Sequence, residues 1–137
     1  MTSYLLDSNH ASVLVTRNHP VYQRITAGIA AGDMFHISLL AITETVFGFS
    51  ALPRAVQNTR EWTLIRPALR LIGVDEQDAL NAAALQLLLR RQGWQLATVD
   101  ALIATAALRY NLILLTTDRD FQRVPQLITK NWITAQP

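Results

Sequence analysis

Cysteine is absent from this sequence of 137 residues, lysine occurs once, and the five glycines are scattered. Without cysteine the chain has no disulfide, no thiolate nucleophile and no cysteine-ligated zinc or iron–sulfur site. Scattered glycines leave no Gly-rich loop to cradle phosphates, which argues against nucleoside triphosphate binding. No apolar run approaches the ~20 residues of a membrane span, and the pattern of a secretory signal is missing. We therefore expect a cytoplasmic protein without membrane association.

The composition that remains is typical of one globular domain. Half of the residues are apolar and only 16% are charged, which excludes a disordered chain. The length is sufficient for one core, so we predict a single domain over residues 1–137. Basic residues are almost all Arg, whose planar guanidinium binds phosphate with two hydrogen bonds. A codon bias would produce the same excess, so composition alone does not predict a nucleic-acid ligand.

Short apolar runs alternate with helical patterns along the chain. The runs predict strands at Ser3–Leu6, Met34–Ser38, Leu69–Val74 and Leu112–Leu115, with a short terminal strand at Trp132–Thr134. Helical periodicity covers residues 20–31, 41–52, 53–66, 76–92 and 99–110. Continuous apolar strands suit a parallel sheet that is covered on both faces. We therefore predict an α/β fold, a three-layer α/β/α sandwich around a mostly parallel sheet of four to five strands.

Two of the predicted helices carry start signals. Asp75 precedes the helix of residues 76–92 as an N-cap, and Asp78 stands at its third position. Thr98 is expected to cap the helix of residues 99–110. The periodicity predicts inward faces made of Ala79, Ala82, Ala83, Leu87 and Leu88 in the first helix and of Leu102, Ile103, Ala106 and Ala107 in the second.

Four acidic residues fall at places that a parallel sheet brings to one edge. Asp7 follows the first strand and Asp118 the fourth, while Glu44 and Asp100 lie near the starts of helices. Each has a simple alternative, since Asp7 and Asp100 could be helix caps, Glu44 a solvated residue and Asp118 the start of a turn. Ligands, however, collect beyond the carboxyl ends of parallel strands, and carboxylates in apolar sequence are costly to bury without a cation. The four together therefore favour a metal site.

Oxygen ligands of this kind indicate a hard cation. Mg²⁺ or Mn²⁺ takes a few carboxylates, several waters and substrate phosphate oxygens. One or two such ions could stabilise the attacking and leaving oxygens of a phosphodiester. Without metal, crowded carboxylates repel each other, so at least one of them should resist ionisation. The chemistry predicted from these residues is metal-assisted hydrolysis of a phosphoryl ester.

The motifs around the four acids resemble those of the PIN-domain nucleases, and among these the VapC-type ribonuclease toxins of toxin–antitoxin pairs. Four segments carry the resemblance in chain order: 4–9 with Asp7, 38–48 with Glu44, 93–106 with Asp100, and 114–121 with Asp118. Each motif alone is weakly specific, whereas four in sequence, covering nearly the whole chain, are strong. The implied fold is the PIN-like α/β/α sandwich.

The resemblance also implies roles for residues and partners. The catalytic, metal-holding residues would be Asp7, Glu44, Asp100 and Asp118, supported by Ser8, Asn9 and Thr116. The implied activity is endonucleolytic cleavage of single-stranded RNA, dependent on Mg²⁺ or Mn²⁺, with water as the nucleophile. The implied partners are the RNA substrate, a cognate antitoxin whose C-terminal segment covers the acidic groove, and a second copy in a homodimer. The alternative is a catalytically silent PIN-like domain that binds RNA or an antitoxin.

Residues beside the acids have alternative assignments. Asp120 follows Asp118 by two residues, and we expect Asp118 to be the fourth acid while Asp120 caps or fixes the next turn. Arg119 and Arg123 flank this corner and are candidates for RNA contact. His10 could face the site, but we expect it to be exposed at a helix start. Bases could also stack on tryptophan, although we expect half-buried packing roles for Trp62, Trp94 and Trp132.

Overall fold

Strands and helices alternate along residues 1–134, the part of the chain that the computed structural model describes. Its five strands are β1 (Ser3–Leu6), β2 (Met34–Ser38), β3 (Arg70–Ile72), β4 (Ile113–Leu115) and β5 (Thr129–Lys130). Its six α-helices are α1 (Ser8–Ser12), α2 (Pro20–Ala30), α3 (Leu39–Ser50), α4 (Ala55–Ile65), α5 (Glu76–Arg91) and α6 (Thr98–Arg109). Short 3₁₀ turns lie at Val13–Val15, Arg66–Ala68 and Arg119–Arg123. Residues 135–137 of the predicted single domain lie outside the described range.

The five strands form one parallel sheet in the order β3-β2-β1-β4-β5. From the central β1 the chain builds β2 and β3 on one side and then crosses to build β4 and β5 on the other. The carboxyl ends of β1 and β4 therefore lie side by side where the strand order reverses, which is where open α/β sheets bind ligands. The predicted α/β class with a parallel sheet is confirmed.

The middle of the sheet is a dry apolar layer. Leu5 and Leu6 of β1 and Leu114 and Leu115 of β4 have no accessible surface. These strands are apolar at every one of these positions because both faces of the sheet are covered. This close packing fixes the relative positions of the ends of β1 and β4. It therefore also fixes the relative positions of the polar residues that follow the two strands. Within residues 1–134, no helix has both the length and the hydropathy to cross a bilayer.

The last strand differs from the prediction. β5 is Thr129–Lys130, whereas the predicted strand Trp132–Thr134 is a turn. The reason is local, because the side-chain oxygen of Asn131 accepts the backbone N–H groups of Ile133 and Thr134 at 3.0 and 3.1 Å. Because these two N–H groups donate to Asn131, the segment forms a turn around that side chain and does not pair with a neighbouring strand.

Helix α5 begins as predicted but buries a different face. Asp75 and Asp78 form a reciprocal capping box at its N-terminus. Its buried residues are Asp78, Ala82 and Leu89, so the prediction is correct for Ala82. It is wrong for four residues, which are exposed: Ala79, Ala83, Leu87 and Leu88. α5 packs chiefly on α6. Because Asp78 contacts Arg109 of α6, the face of α5 that carries Asp78 lies against α6.

Helix α6 starts one residue before the predicted start. Ala97 is its N-cap and makes no side-chain bond, so the expected capping role of Thr98 is wrong. The hydroxyl of Thr98 instead accepts a hydrogen bond from Gln86 of α5 at 3.2 Å. The inward face is confirmed for Ile103, Ala106 and Ala107, which are buried, and Leu102 is half-buried.

Candidate active site

Asp7 stands at the end of β1, directly beside the end of β4. Its backbone N–H donates to the carbonyl of Leu115 at 3.0 Å, which extends the β1–β4 pairing by one step. Its carboxylate caps α1, because Oδ1 accepts the N–H of Ser8 at 2.9 Å. Asp7 is therefore the helix cap that its position permits, and it is also buried at the sheet edge with only 5% of its surface exposed.

Two polar neighbours hold the other oxygen of Asp7. The hydroxyl of Thr116 donates to Oδ2 at 2.7 Å, and the side-chain amide of Asn9 donates to the same atom at 3.3 Å. Thr116 also accepts the backbone N–H of Asp118 at 3.0 Å. The structure thus brings Asp7, Asn9, Thr116 and Asp118 together in one network, with Asn9 and Thr116 placed where supporting residues were expected.

His10 lies beneath this network and is fully buried, so its expected exposure is wrong. Its Nε2 accepts the backbone N–H of Trp132 at 3.1 Å, which leaves Nδ1–H to donate to Asn9 Oδ1 at 2.8 Å. Burial, with a smaller effect of the charge on His19, lowers the pKa of His10 to about 4. A neutral imidazole thus orients the Asn9 amide that donates to Asp7. No local sequence signal indicated this burial, because the residue that His10 contacts, Trp132, is distant in the chain.

Glu44 approaches the site from α3. Ser38 ends β2 and caps α3 by accepting the N–H of Leu40 at 3.2 Å, which fixes the start of the helix. Glu44 lies on an exposed part of the helix, and its Oε2 accepts the hydroxyl proton of Ser8 at 3.1 Å. Ser8 therefore links the two acids, because its backbone N–H donates to Asp7 and its hydroxyl donates to Glu44.

Asp100 lies in the first turn of α6 and is half-buried. Its pKa is raised to about 6, first by burial and then by the negative charges of Asp7, Asp118, Glu44 and Asp120 in that order. This is the resistance to ionisation expected of crowded carboxylates. The structure thus places the four predicted acids within electrostatic range of each other at one edge of the sheet.

Asp118 and Asp120 have different environments. Asp118 is half-buried and caps the 3₁₀ turn Arg119–Arg123, because its Oδ1 accepts the N–H of Asp120 at 2.9 Å. The capping role expected of Asp120 therefore belongs to Asp118. Asp120 itself is exposed. Of the two, Asp118 has the larger effect on the pKa of Asp100. Both observations favour Asp118 as the fourth acid.

The four acids lack basic partners within the described residues. The ion pairs found across residues 1–134 are Arg17–Glu61, Arg109–Asp75 and Arg109–Asp78, and none involves this corner. Over the same range, no group of three or more His, Cys, Asp or Glu side chains is arranged to hold a metal ion. The donor set still fits Mg²⁺ or Mn²⁺, because such ions keep several waters and need only one or two direct carboxylates. A site made of carboxylates that repel each other, with oxygen as the donor atom, is the kind of site that a hard cation stabilises.

The arginines and tryptophans considered as RNA contacts differ in their exposure and in their neighbours. Arg119 is exposed immediately after Asp118. Arg123 places its guanidinium 3.0 Å from the centre of the Trp94 ring. Trp62 and Trp132 are buried in the core, more deeply than the half-buried packing expected of them, whereas Trp94 remains 42% exposed. Of the three tryptophans, Trp94 thus keeps the most accessible surface.

Comparison with known proteins agrees with the fold. The PIN domain family matches residues 4–127. The chain belongs to the PIN-domain family. This PIN domain is similar to Ribonuclease VapC2 of Rickettsia felis, with 25% identity over 130 residues that cover 94% of this chain and 97% of the relative. It is also similar to Ribonuclease VapC1 of Haemophilus influenzae, with 24% identity and the same coverage.

Solved structures show the same fold. A chain of the Rickettsia felis VapBC2 complex bound to a promoter DNA fragment matches this PIN domain with a TM-score of 0.81 and 24% identity, covering 96% of this chain and 99% of that one. A chain of DNA-bound VapBC from Salmonella typhimurium matches with a TM-score of 0.79 and 21% identity, over 96% and 99% of the two chains. The predicted PIN-like sandwich is therefore confirmed.

Proposed function

We propose that this PIN domain is a divalent-metal-dependent endoribonuclease that cleaves single-stranded RNA and acts as the toxin of a toxin–antitoxin pair. The observation that carries the proposal is the convergence of four acids at one edge of the sheet, where burial and the charges of the other acids raise the pKa of Asp100 to about 6. Four carboxylates are thus crowded at the ligand-binding edge of the sheet without a basic partner among the described residues. The ribonuclease names of the relatives support the same activity.

The chain's own residues would prepare the reaction by positioning carboxylate oxygens. Asp7, Glu44 and Asp100 would hold the principal Mg²⁺ or Mn²⁺, and Asp118 would contribute to a second ion or orient the attacking water. When bound, the cation supplies Lewis acidity and neutralises charge on the phosphodiester. Thr116 fixes the direction of the Asp7 carboxylate through its 2.7 Å hydrogen bond, which lowers the cost of arranging the site for each substrate.

The test is an RNA cleavage assay with purified protein in Mg²⁺ or Mn²⁺ and in EDTA. Cleavage is expected only with the cation, and Asp7→Asn and Asp100→Asn should each reduce its rate by about 10²–10³-fold, the loss typical when one charge-stabilising group is removed. Asp75→Asn is the matched control, because it removes a carboxylate that pairs with Arg109 outside the site. Undiminished cleavage in both site variants would contradict the metal-site assignment.

A second candidate function has one observation in its favour. The described residues contain no three-membered group arranged to hold a metal, as a silent PIN-like domain that binds RNA or an antitoxin would show. Calorimetry separates the two functions. Binding of Mg²⁺ or Mn²⁺ that is weakened by Asp100→Asn supports the nuclease, and an absence of binding together with an absence of cleavage supports the silent domain.

The antitoxin partner is supported by an exposed apolar surface on α3 and α4. Phe47, Leu52, Val56 and Leu64 are each more than half exposed, and beside them lies a groove of about 1090 Å³ whose lining includes Leu52. Exposed apolar side chains are candidates for contact with a protein partner, and the solved neighbours include toxin–antitoxin complexes. Co-expression with the product of the adjacent open reading frame should give a stable complex that Phe47→Asp disrupts.

The homodimer belongs to the same proposal. The exposed face of α5 carries Leu80, Leu87 and Leu88, which a second copy could cover. Sedimentation of the purified chain should give twice the mass of the 15.3 kDa monomer. A monomer at all concentrations tested would contradict this part of the proposal and leave the nuclease activity untouched.

A further inference from the structure

The position of Trp94 is fixed by the end of α5. Gly93 has a φ of 85°, which a glycine adopts without strain. Its N–H donates to the carbonyl of Arg90 at 3.0 Å, and the N–H of Trp94 donates to that of Leu89 at 2.9 Å. These two bonds are a Schellman motif, in which the residue in the place of Trp94 packs back on the helix. Trp94 nevertheless keeps 42% of its surface exposed.

The exposed indole has a cationic neighbour and an adjoining groove. The guanidinium of Arg123 lies 3.0 Å from its ring centre, within the range of a cation–π contact. A groove of about 640 Å³ runs along the end of α5, and its lining includes Trp94, Arg90, Gln86 and Gln95 but no acidic residue from the described range. A partly exposed tryptophan beside arginines is the combination that binds single-stranded nucleic acid through stacking and phosphate contacts.

Arg123 and Trp94, which contact each other, each lie on a chain segment that also carries an acid of the candidate active site. Arg123 ends the 3₁₀ turn that Asp118 caps. Trp94 belongs to the connection that enters α6, whose first turn carries Asp100. The side chain of Gln86 holds this connection against α5 by donating to the carbonyl of Leu96 at 3.0 Å. The contact between Arg123 and Trp94 therefore joins the two chain segments that carry Asp118 and Asp100.

We propose that Trp94, Arg123 and Arg90 form a binding subsite for one nucleotide of a single-stranded RNA, with the base stacked on the indole and the arginines facing its phosphates. The subsite rests on the proposed ribonuclease function and specifies how the substrate is held beyond the scissile bond. Stacking tolerates any base, so the subsite contributes affinity and register and leaves the choice of cleavage sequence to other contacts.

The test measures binding separately from cleavage. The probe is a short 2′-O-methyl oligouridylate in EDTA, and the readouts are quenching of tryptophan fluorescence and anisotropy of a labelled probe. Since Trp62 and Trp132 are buried, quenching reports on Trp94. Trp94→Ala is expected to weaken binding about tenfold, Trp94→Phe should retain most of the affinity through its ring, and Arg123→Ala should weaken binding and reduce its salt dependence.

Arg70→Ala is the matched control, because it removes an exposed arginine at the amino end of the edge strand β3. It should weaken binding far less than Arg123→Ala does. Circular dichroism of each variant verifies folding. Equal affinity of the wild type and Trp94→Ala, or equal weakening by Phe and Ala at this position, would overturn the subsite. Trp94-dependent binding without Mg²⁺-dependent cleavage would instead contradict the proposed function and leave the subsite in place.

Discussion

Two groups of carboxylates in this molecule have opposite electrostatic surroundings. At the start of α5, Asp75 and Asp78 cap the helix, and Arg109 of α6 contacts one oxygen of each at 2.9 Å. The backbone N–H of Asp78, and to a smaller extent Arg109, lowers the pKa of Asp75. At the sheet edge, Asp100 is surrounded by other acids and its pKa is raised to about 6.

The difference separates acids whose charge is compensated within the fold from acids whose charge is not. The α5 pair is compensated by donors and by a cation from within the chain, so its charges stabilise the fold. The sheet-edge acids use their hydrogen bonds to fix direction, as Asp7 does with Thr116, but no described basic residue offsets their charge. That uncompensated repulsion is what an external cation would relieve.

The largest expected effect on stability comes from the compensated pair. Asp78→Ala removes a buried cap acceptor and one partner of Arg109, so the free energy of unfolding should fall by about 2 kcal/mol. Chemical denaturation measures this loss. Glu61→Ala, which breaks the exposed Arg17–Glu61 pair, should produce little change. Cleavage per folded molecule is expected to stay unchanged in both variants, and a loss of cleavage in Asp78→Ala would erase the distinction between the two groups.

The hydrogen bonds that direct Asp7 give the next effect. Thr116→Val removes the donor to Asp7 and the acceptor for the N–H of Asp118, at a cost of about 1–2 kcal/mol. RNA cleavage should fall as well, because the carboxylate loses its orientation. Thr105→Val is the control, since that buried hydroxyl donates to the carbonyl of Ala101 in its own helix. Equal losses of activity in the two variants would show that Thr116 acts only through stability.

The pH dependence of stability should have opposite signs in the two groups. Because the folded pKa of Asp100 lies above its ordinary value, ionisation of Asp100 destabilises the protein as pH rises toward 6. Without metal, Asp100→Asn should therefore stabilise the protein above pH 6 by about 1 kcal/mol, after allowance for solvent screening. No gain is expected below the ordinary pKa of aspartate.

Asp75→Asn is the counterpart of this variant. The lowered pKa of Asp75 means that its ionised form stabilises the fold above the ordinary pKa of aspartate, and that this contribution is lost as pH falls. The variant should therefore be less stable than the wild type at neutral pH, with the difference closing in acid. Thermal unfolding across the pH range measures both variants. The same sign in both at neutral pH would contradict the comparison.

The sequence could predict which acids lie at the sheet edge, because the end of each strand is marked by a local change from apolar to polar residues. Apolar runs stop at Asp7 and just before Asp118, and parallel strands bring such ends together. The burial of His10 and the inward face of α5 depend on which distant elements pack there, namely Trp132 for His10 and α6 for α5. Periodicity over one helix does not contain that information, which is why the predictions were wrong for His10 and for four of the five inward residues of α5.

The smallest expected effect separates Asp118 from Asp120. Both charges raise the pKa of Asp100, and Asp118 has the larger influence. Asp118→Asn should therefore lower the pKa of Asp100 more than Asp120→Asn does, and carboxyl carbon NMR titration of metal-free protein measures the two shifts. The asparagine at 118 can still accept the N–H of Asp120 that the aspartate accepts, so the capped turn is retained and the comparison reports charge. A larger shift in Asp120→Asn would make Asp120 the fourth acid, and the sheet-edge group would then extend beyond the strand end into the exposed turn.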